Sequence, residues 1–150
     1  MANYLSNEQA GTTTGLTTAA AVGYKPKATV YGARVKRMRA TINLASQTAS
    51  DTLNFGNLPA GATFAYGILT SSVSLGTSTL AVGNTSTTGK YRAAATFTAV
   101  DTPTFFGPAT IIGAADPALS ADENVFGTIA VATLPASGTL VVDLYYSMPN

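Results

Sequence analysis

Thr139-Leu-Val-Val-Asp-Leu-Tyr-Tyr-Ser147 is the stretch that decides the fold. Successive side chains of an extended strand point to opposite faces, so Leu140, Val142, Leu144 and Tyr146 share one face and Val141, Asp143 and Tyr145 the other. One of these faces is expected to be core. Upstream, from residue 28 onward, short alternating or β-branched runs are separated by Gly, Pro, Asn and Ser, which is the pattern of a sandwich or barrel. Strands are predicted near 28–35, 37–45, 51–56, 63–71, 78–83, 91–99, 104–112, 125–133 and 139–147. No helix is signalled beyond one short turn over residues 117–124. The expected fold is therefore all-β, a single β-sandwich or jelly-roll domain over residues 25–150 with an extended N-terminal arm over residues 1–24.

Two segments echo each other, Asp51-Thr-Leu-Asn-Phe-Gly-Asn-Leu-Pro-Ala-Gly-Ala-Thr63 and Gly127-Thr-Ile-Ala-Val-Ala-Thr-Leu-Pro-Ala-Ser-Gly-Thr139. Each sets a Leu-Pro-Ala turn between two strands. Pro59 and Pro135 preset φ for the turn, and Gly61 and Gly138 supply the left-handed residue that lets the chain reverse. These are read as hairpin-like connections or sheet-to-sheet corners, related by pseudo-symmetry. The arm, with Gly11-Thr-Thr-Thr-Gly15 and Thr17-Thr-Ala-Ala-Ala-Val22, has neither helical nor alternating periodicity. It carries too little apolar surface to offset its own ordering entropy. It reads either as a tail or as a segment that orders on a neighbouring subunit, with Tyr4, Leu5 and Leu16 as anchors.

Half of the chain is Ala, Thr, Gly or Ser, and only 10% is charged, against about 25% in an ordinary soluble domain. The chain has no His and no Cys. That removes the commonest general base, the commonest metal ligand, the thiol nucleophile and any disulfide. The carboxylates are scattered, with no pairing that marks a glycosidase or aspartic-protease dyad. Asp116, Asp122 and Glu123 lack calcium-loop spacing and read as a solvated acidic loop. Gly83-Asn-Thr-Ser-Thr-Thr-Gly-Lys90 resembles a phosphate loop superficially, but its glycines are spaced wrongly, Tyr91 stands where Ser or Thr must reach magnesium, and no helix follows. A long polar hairpin loop explains it better. No enzyme activity, cofactor, metal or small-molecule substrate is expected. Met1–Asn7 does not open a secretory signal, no run reaches the ~18 apolar residues of a membrane span, and the net charge of +1 draws the chain to neither nucleic acid nor membrane.

One charge cluster stands out. Lys25, Lys27, Arg34, Lys36, Arg37 and Arg39 are six of the eight basic residues, and no acid lies within positions 24–50. On a strand, Arg37 and Arg39 face one way and Arg34 and Lys36 the other, so the patch is two-sided unless a bulge intervenes. The parity of Val35 and Met38 points to such a bulge near Lys36 or Arg37. The cluster reads as a solvated strand that resists edge pairing, as a contact for an acidic protein surface, or, least favoured, as a nucleic-acid site.

Arg37-Met-Arg-Ala-Thr-Ile-Asn-Leu44, Ser50–Thr63, Gly83–Tyr91 and Gly138–Ser147 together resemble small virion structural proteins of tailed bacteriophages, and among them head decoration, or cement, proteins. The resemblance implies a β-sandwich or jelly roll that binds the major capsid protein and its own copies, as a homotrimer, on the capsid surface, after residence in the host cytoplasm during assembly. It implies a role in stabilising the expanded head and carries no residue-level motif. Other readings are a tail tube, head fibre base or baseplate component, or a carbohydrate-binding adhesion module using Tyr145-Tyr146 or Phe105-Phe106. In each aromatic pair, alternation sends one ring inward.

Overall fold

Eight antiparallel strands pair in a nested order: β1 (Arg34–Asn43) with β8 (Thr139–Met148), β2 (Thr52–Leu58) with β7 (Glu123–Ala130), β3 (Thr63–Ser71) with β6 (Thr104–Phe106), and β4 (Thr79–Gly83) with β5 (Arg92–Thr96). The computed structural model describes residues 34–107 and 118–148. Further pairing of β3 with β8 and of β4 with β7 closes two four-stranded sheets, β1-β8-β3-β6 and β2-β7-β4-β5. A long antiparallel ribbon rolled into two facing sheets in this order is a jelly roll. The fold class is therefore all-β, and the described residues contain no helix.

The core lies between the sheets. Leu140, Val142 and Leu144 of β8 are buried with Leu69 of β3, facing Leu53, Phe55 and Leu58 of β2, Val125 and Ile129 of β7 and Leu80 and Val82 of β4. The alternation in β8 thus resolves with the even-numbered residues inward. In β2 the inward residues are 53, 55 and 58, because the register shifts between Asn54 and Gly56. Gly56 has φ +112°, a region L side chains avoid, and its amide donates to Asn54 Oδ1 at 2.8 Å. Met38 of the opposite sheet packs onto it, with Sδ 2.9 Å from where a Cβ would stand.

Both Leu-Pro-Ala segments are sheet-to-sheet corners, not hairpins: β2 leads into β3 and β7 into β8, each passing from one sheet to the other. Gly61 (φ +81°) and Gly138 (φ +122°) take the expected left-handed positions. Because β2 runs antiparallel to β7, the corners sit at opposite ends of the sandwich, which is an approximate two-fold in the topology. Each is tied down by backbone hydrogen bonds. Gly61 N donates to Leu119 O (2.7 Å) and Leu119 N to Ala62 O (2.8 Å), while Leu44 N donates to Gly138 O (2.9 Å) and Leu134 N to Gln47 O (2.9 Å).

Three expectations change. The β1–β8 ladder is unbroken from Arg34↔Met148 to Asn43↔Thr139, so there is no bulge near Lys36 or Arg37. Val35 lies on the outer face, 59% exposed, while Met38 packs against the core. The turn expected over 117–124 is extended chain and bends from residue 118 leading into β7; Pro117 is outside the described residues. Glu123 opens β7 and is half-buried, so it does not belong to a solvated acidic loop. The arm over 1–24 with Tyr4, Leu5 and Leu16, together with Lys25, Lys27, Asp116 and most of the strand expected over 28–35, also lies outside the described residues.

Candidate interaction face

The outer face of the β1-β8-β3-β6 sheet gathers the residues that the sequence left dispersed. Register places Arg37 opposite Tyr145 and Tyr145 opposite Tyr66, and the next outward row runs Arg39, Asp143, Ile68, Phe105. The rings form a ladder across three strands. Tyr66 stacks on Tyr145 with centroids 4.6 Å apart and an interplanar angle of 19°, and lies 5.9 Å from Phe105 at 49°. These are ordinary distances for offset and tilted aromatic pairs. Phe105 is 70% exposed and Tyr66 37%. Their sequence neighbours behave as alternation requires: Phe106 is buried and Tyr146 packs against the core.

The basic set is two-sided, as strand alternation dictates. Arg37 and Arg39 share the outer face with the rings, whereas Arg34 and Lys36 point the other way, both exposed near the end of the sheet. Lys36 Nζ contacts Met148 Sδ at 3.8 Å. Arg39 grips Asp143 through two parallel bonds, Nε to Oδ1 and Nη2 to Oδ2, both 2.7 Å. Asp143 is buried on the outer side of β8. The Arg39 hydrogen bonds hold its carboxyl below the usual carboxylate range against the opposing effect of burial, and the charge of Arg37 lowers it further. Arg39 is correspondingly raised by Asp143. Arg37, by contrast, has no carboxylate partner among the described residues.

A second polar cluster holds the β4–β5 connection. The Glu123 carboxylate accepts from Lys90 Nζ (2.5 Å), Asn84 Nδ2 (2.9 Å) and the Tyr91 hydroxyl. Burial pushes Glu123 up, but the hydrogen bonds from Lys90, Tyr91 and Asn84 outweigh it and hold the group below its ordinary 4.5. The Tyr91 phenol is pushed well above its ordinary 10, first by burial and then by the adjacent carboxylate. The polar stretch 84–90 is therefore an anchored loop and not a free phosphate cradle. Its middle residues fold back over Gly83, where an added Cβ would stand 2.1 Å from Thr87 O and 2.5 Å from Thr88 O. A cleft of about 590 Å³ opens beside this cluster, with Phe64, Leu119 and Tyr91 in its walls. Every oxygen of Glu123 is already taken, so the cluster acts as a latch. Asp122, likewise, accepts from Ala60 N at 2.8 Å.

Sequence reading missed Tyr66, Tyr91 and Glu123. Tyr66 and Phe64 have the same parity in sequence yet lie on opposite faces, because a register shift at Ala65 inserts an extra residue into β3. Nothing in the sequence marks that shift, so the outward position of Tyr66 follows only from the strand pairing.

No protein-family model matches the chain, and no curated protein sequence does. Among solved structures, the fold is similar to that of a chain in the capsid asymmetric unit of cyanophage Pam1. The TM-score is 0.66 at 20% identity, covering 90% of this chain and 99% of that one. A chain in the capsid of Ralstonia phage GP4 gives 0.60 at 19%, covering 78% and 86%, and one in the acid-stable capsid of Helicobacter pylori bacteriophage KHP30 gives 0.56 at 17%, covering 77% and 89%. At these identities the likeness shows a shared fold.

Proposed function

We propose that this chain is a structural protein of a bacteriophage particle, a decoration protein that binds the major capsid protein on the outside of the expanded head and stabilises it, assembled as a homotrimer. The observation that carries this reading is the likeness, over nearly the whole of both molecules, between this jelly roll and a chain of a cyanophage capsid. The other two likenesses also come from phage capsids.

The chemistry of the chain agrees with that role. The two carboxylates with displaced pKa values, Asp143 and Glu123, are both satisfied by neighbouring donors within the fold. A structural module instead needs surfaces that pack, and the outer sheet face offers exposed rings beside arginines. Three such modules joined in a trimer raise avidity by about 10² to 10⁴ over one weak contact, provided the sites match the lattice spacing.

The test is binding to shells. Purified chain, its mass measured by analytical ultracentrifugation, is sedimented with expanded empty capsids of its particle, and capsid disruption is followed by heating. A trimer that co-sediments and raises the disruption temperature supports the proposal. A ring or open polymer that ignores shells assigns the chain to the tail.

A further inference from the structure

We infer that the outer face of the β1-β8-β3-β6 sheet is the surface that docks on the capsid, and that its partner is an acidic protein surface with apolar hollows receiving Phe105 and Tyr66. This inference rests on the decoration reading for the identity of the partner and goes beyond it in assigning the face and the chemistry. A large ring at 70% exposure with a second at 37% beside it, the second lying against Tyr145, joins three aromatic side chains on one face of the sheet. Singly scattered exposed hydrophobics need no explanation, but rings gathered side by side across three strands form the kind of patch that marks an interaction site. The rings are pre-arranged: Tyr66 lies between Tyr145 and Phe105, so little rotamer freedom remains to be lost on binding.

Charge selects the occupant. Arg39 spends both arms of its guanidinium on Asp143, which cancels the acid of this face and leaves Arg37 beside Tyr145 without a carboxylate partner among the described residues. The face is thus net positive, with Arg37 beside the aromatic row and Phe105 at its far side. A second copy laid face to face would bring like charge against like charge. A single-stranded nucleic acid would need a track of cations along its backbone, and this face offers one unpaired arginine. A protein surface that places carboxylates next to an apolar hollow satisfies both features.

The experiment compares Phe105→Ala, Arg37→Glu and wild type for co-sedimentation with expanded empty capsids lacking the chain, across a salt series. Binding of both variants is expected to weaken about 10- to 30-fold, as for central interface anchors. Arg37→Glu is expected to flatten or invert the salt dependence of affinity, since an attractive charge pair is replaced by a repulsive one. Thermal unfolding of each variant is expected to match wild type, which separates docking from folding. Wild-type binding with unchanged variants overturns the face and leaves the decoration reading standing. Failure of wild type to bind overturns both. A change in the oligomer mass of either variant assigns the face to self-association, and anisotropy of a labelled single strand that responds to Arg37→Glu assigns it to nucleic acid; either result overturns the inference.

Discussion

Replacing Tyr91 by Phe removes one hydroxyl and tests whether the Glu123 cluster is a stabilising latch. The ring is retained, so its contact with Phe64 at a centroid distance of 4.3 Å survives and no cavity opens. What is lost is one hydrogen bond to an ionised carboxylate, a class of bond worth about 1.5–3 kcal/mol. Glu123 keeps Lys90 and Asn84, so the lower part of that range applies, about 1.5–2 kcal/mol. For a chain of this length a kcal/mol moves Tm by about 3–4 °C, giving a loss of roughly 5–7 °C at neutral pH. The pH dependence is distinctive. Glu123 lies below its ordinary 4.5 in the folded state, so its contribution is present above that value and is lost as pH falls through the folded one. Tyr91 is raised above its ordinary 10, so wild type loses stability as pH climbs past 10, where the unfolded phenol ionises and the folded one does not. The difference in Tm between wild type and Tyr91→Phe, followed by circular dichroism from pH 3 to 11, is therefore expected to be widest in the middle and to narrow at both ends. A difference below about 1 °C, or one that is flat with pH, would refute the latch.

Three further outcomes are expected from the same geometry. Gly83→Ala forces the carbonyls of Thr87 and Thr88 away from β4 and is expected to cost about 1–3 kcal/mol, with protease sensitivity appearing in the 84–90 loop. Arg39→Ala leaves the buried Asp143 carboxylate without its partner and is expected to destabilise more than Asp143→Asn; Asp143→Asn in the Arg39→Ala background restores part of the loss, and the Arg39→Ala defect shrinks in acid as Asp143 takes up a proton. Leu140→Ala, in the centre of the core, is expected to lose about 2–5 kcal/mol in urea titration, whereas Phe105→Ala stays within about 0.5 kcal/mol of wild type.

The position and the inward face of β8 were readable because a period of two is written directly in Leu140, Val142 and Leu144, whereas the break expected between 28–35 and 37–45 is absent, since β1 runs unbroken over Arg34–Asn43. The corners were readable because Pro59 and Pro135 fix φ and Gly61 and Gly138 accept a positive one. Sheet order was not readable: turn chemistry locates strands but carries no information on which distant strands pair, and β1–β8 contacts span the length of the domain. The parity of β3 was hidden for a related reason, since one extra residue at Ala65 reverses every side chain beyond it. Arg37 and Arg39 were identified from sequence as one side of the basic cluster, but their neighbours Tyr66 and Phe105 come from strands far along the chain. The latch was missed because Glu123 and Tyr91 meet only once β7 lies beside β4 and β4 beside β5.

The central claim, that this chain is part of a phage particle, is tested most directly by density-gradient purification of particles from a lysate of cells carrying its gene, followed by quantitative mass spectrometry. The chain is expected to band with assembled heads, in fixed proportion to the major capsid protein and at many copies per particle. Its absence from heads, with recovery only in the soluble fraction or in tails, would contradict the account.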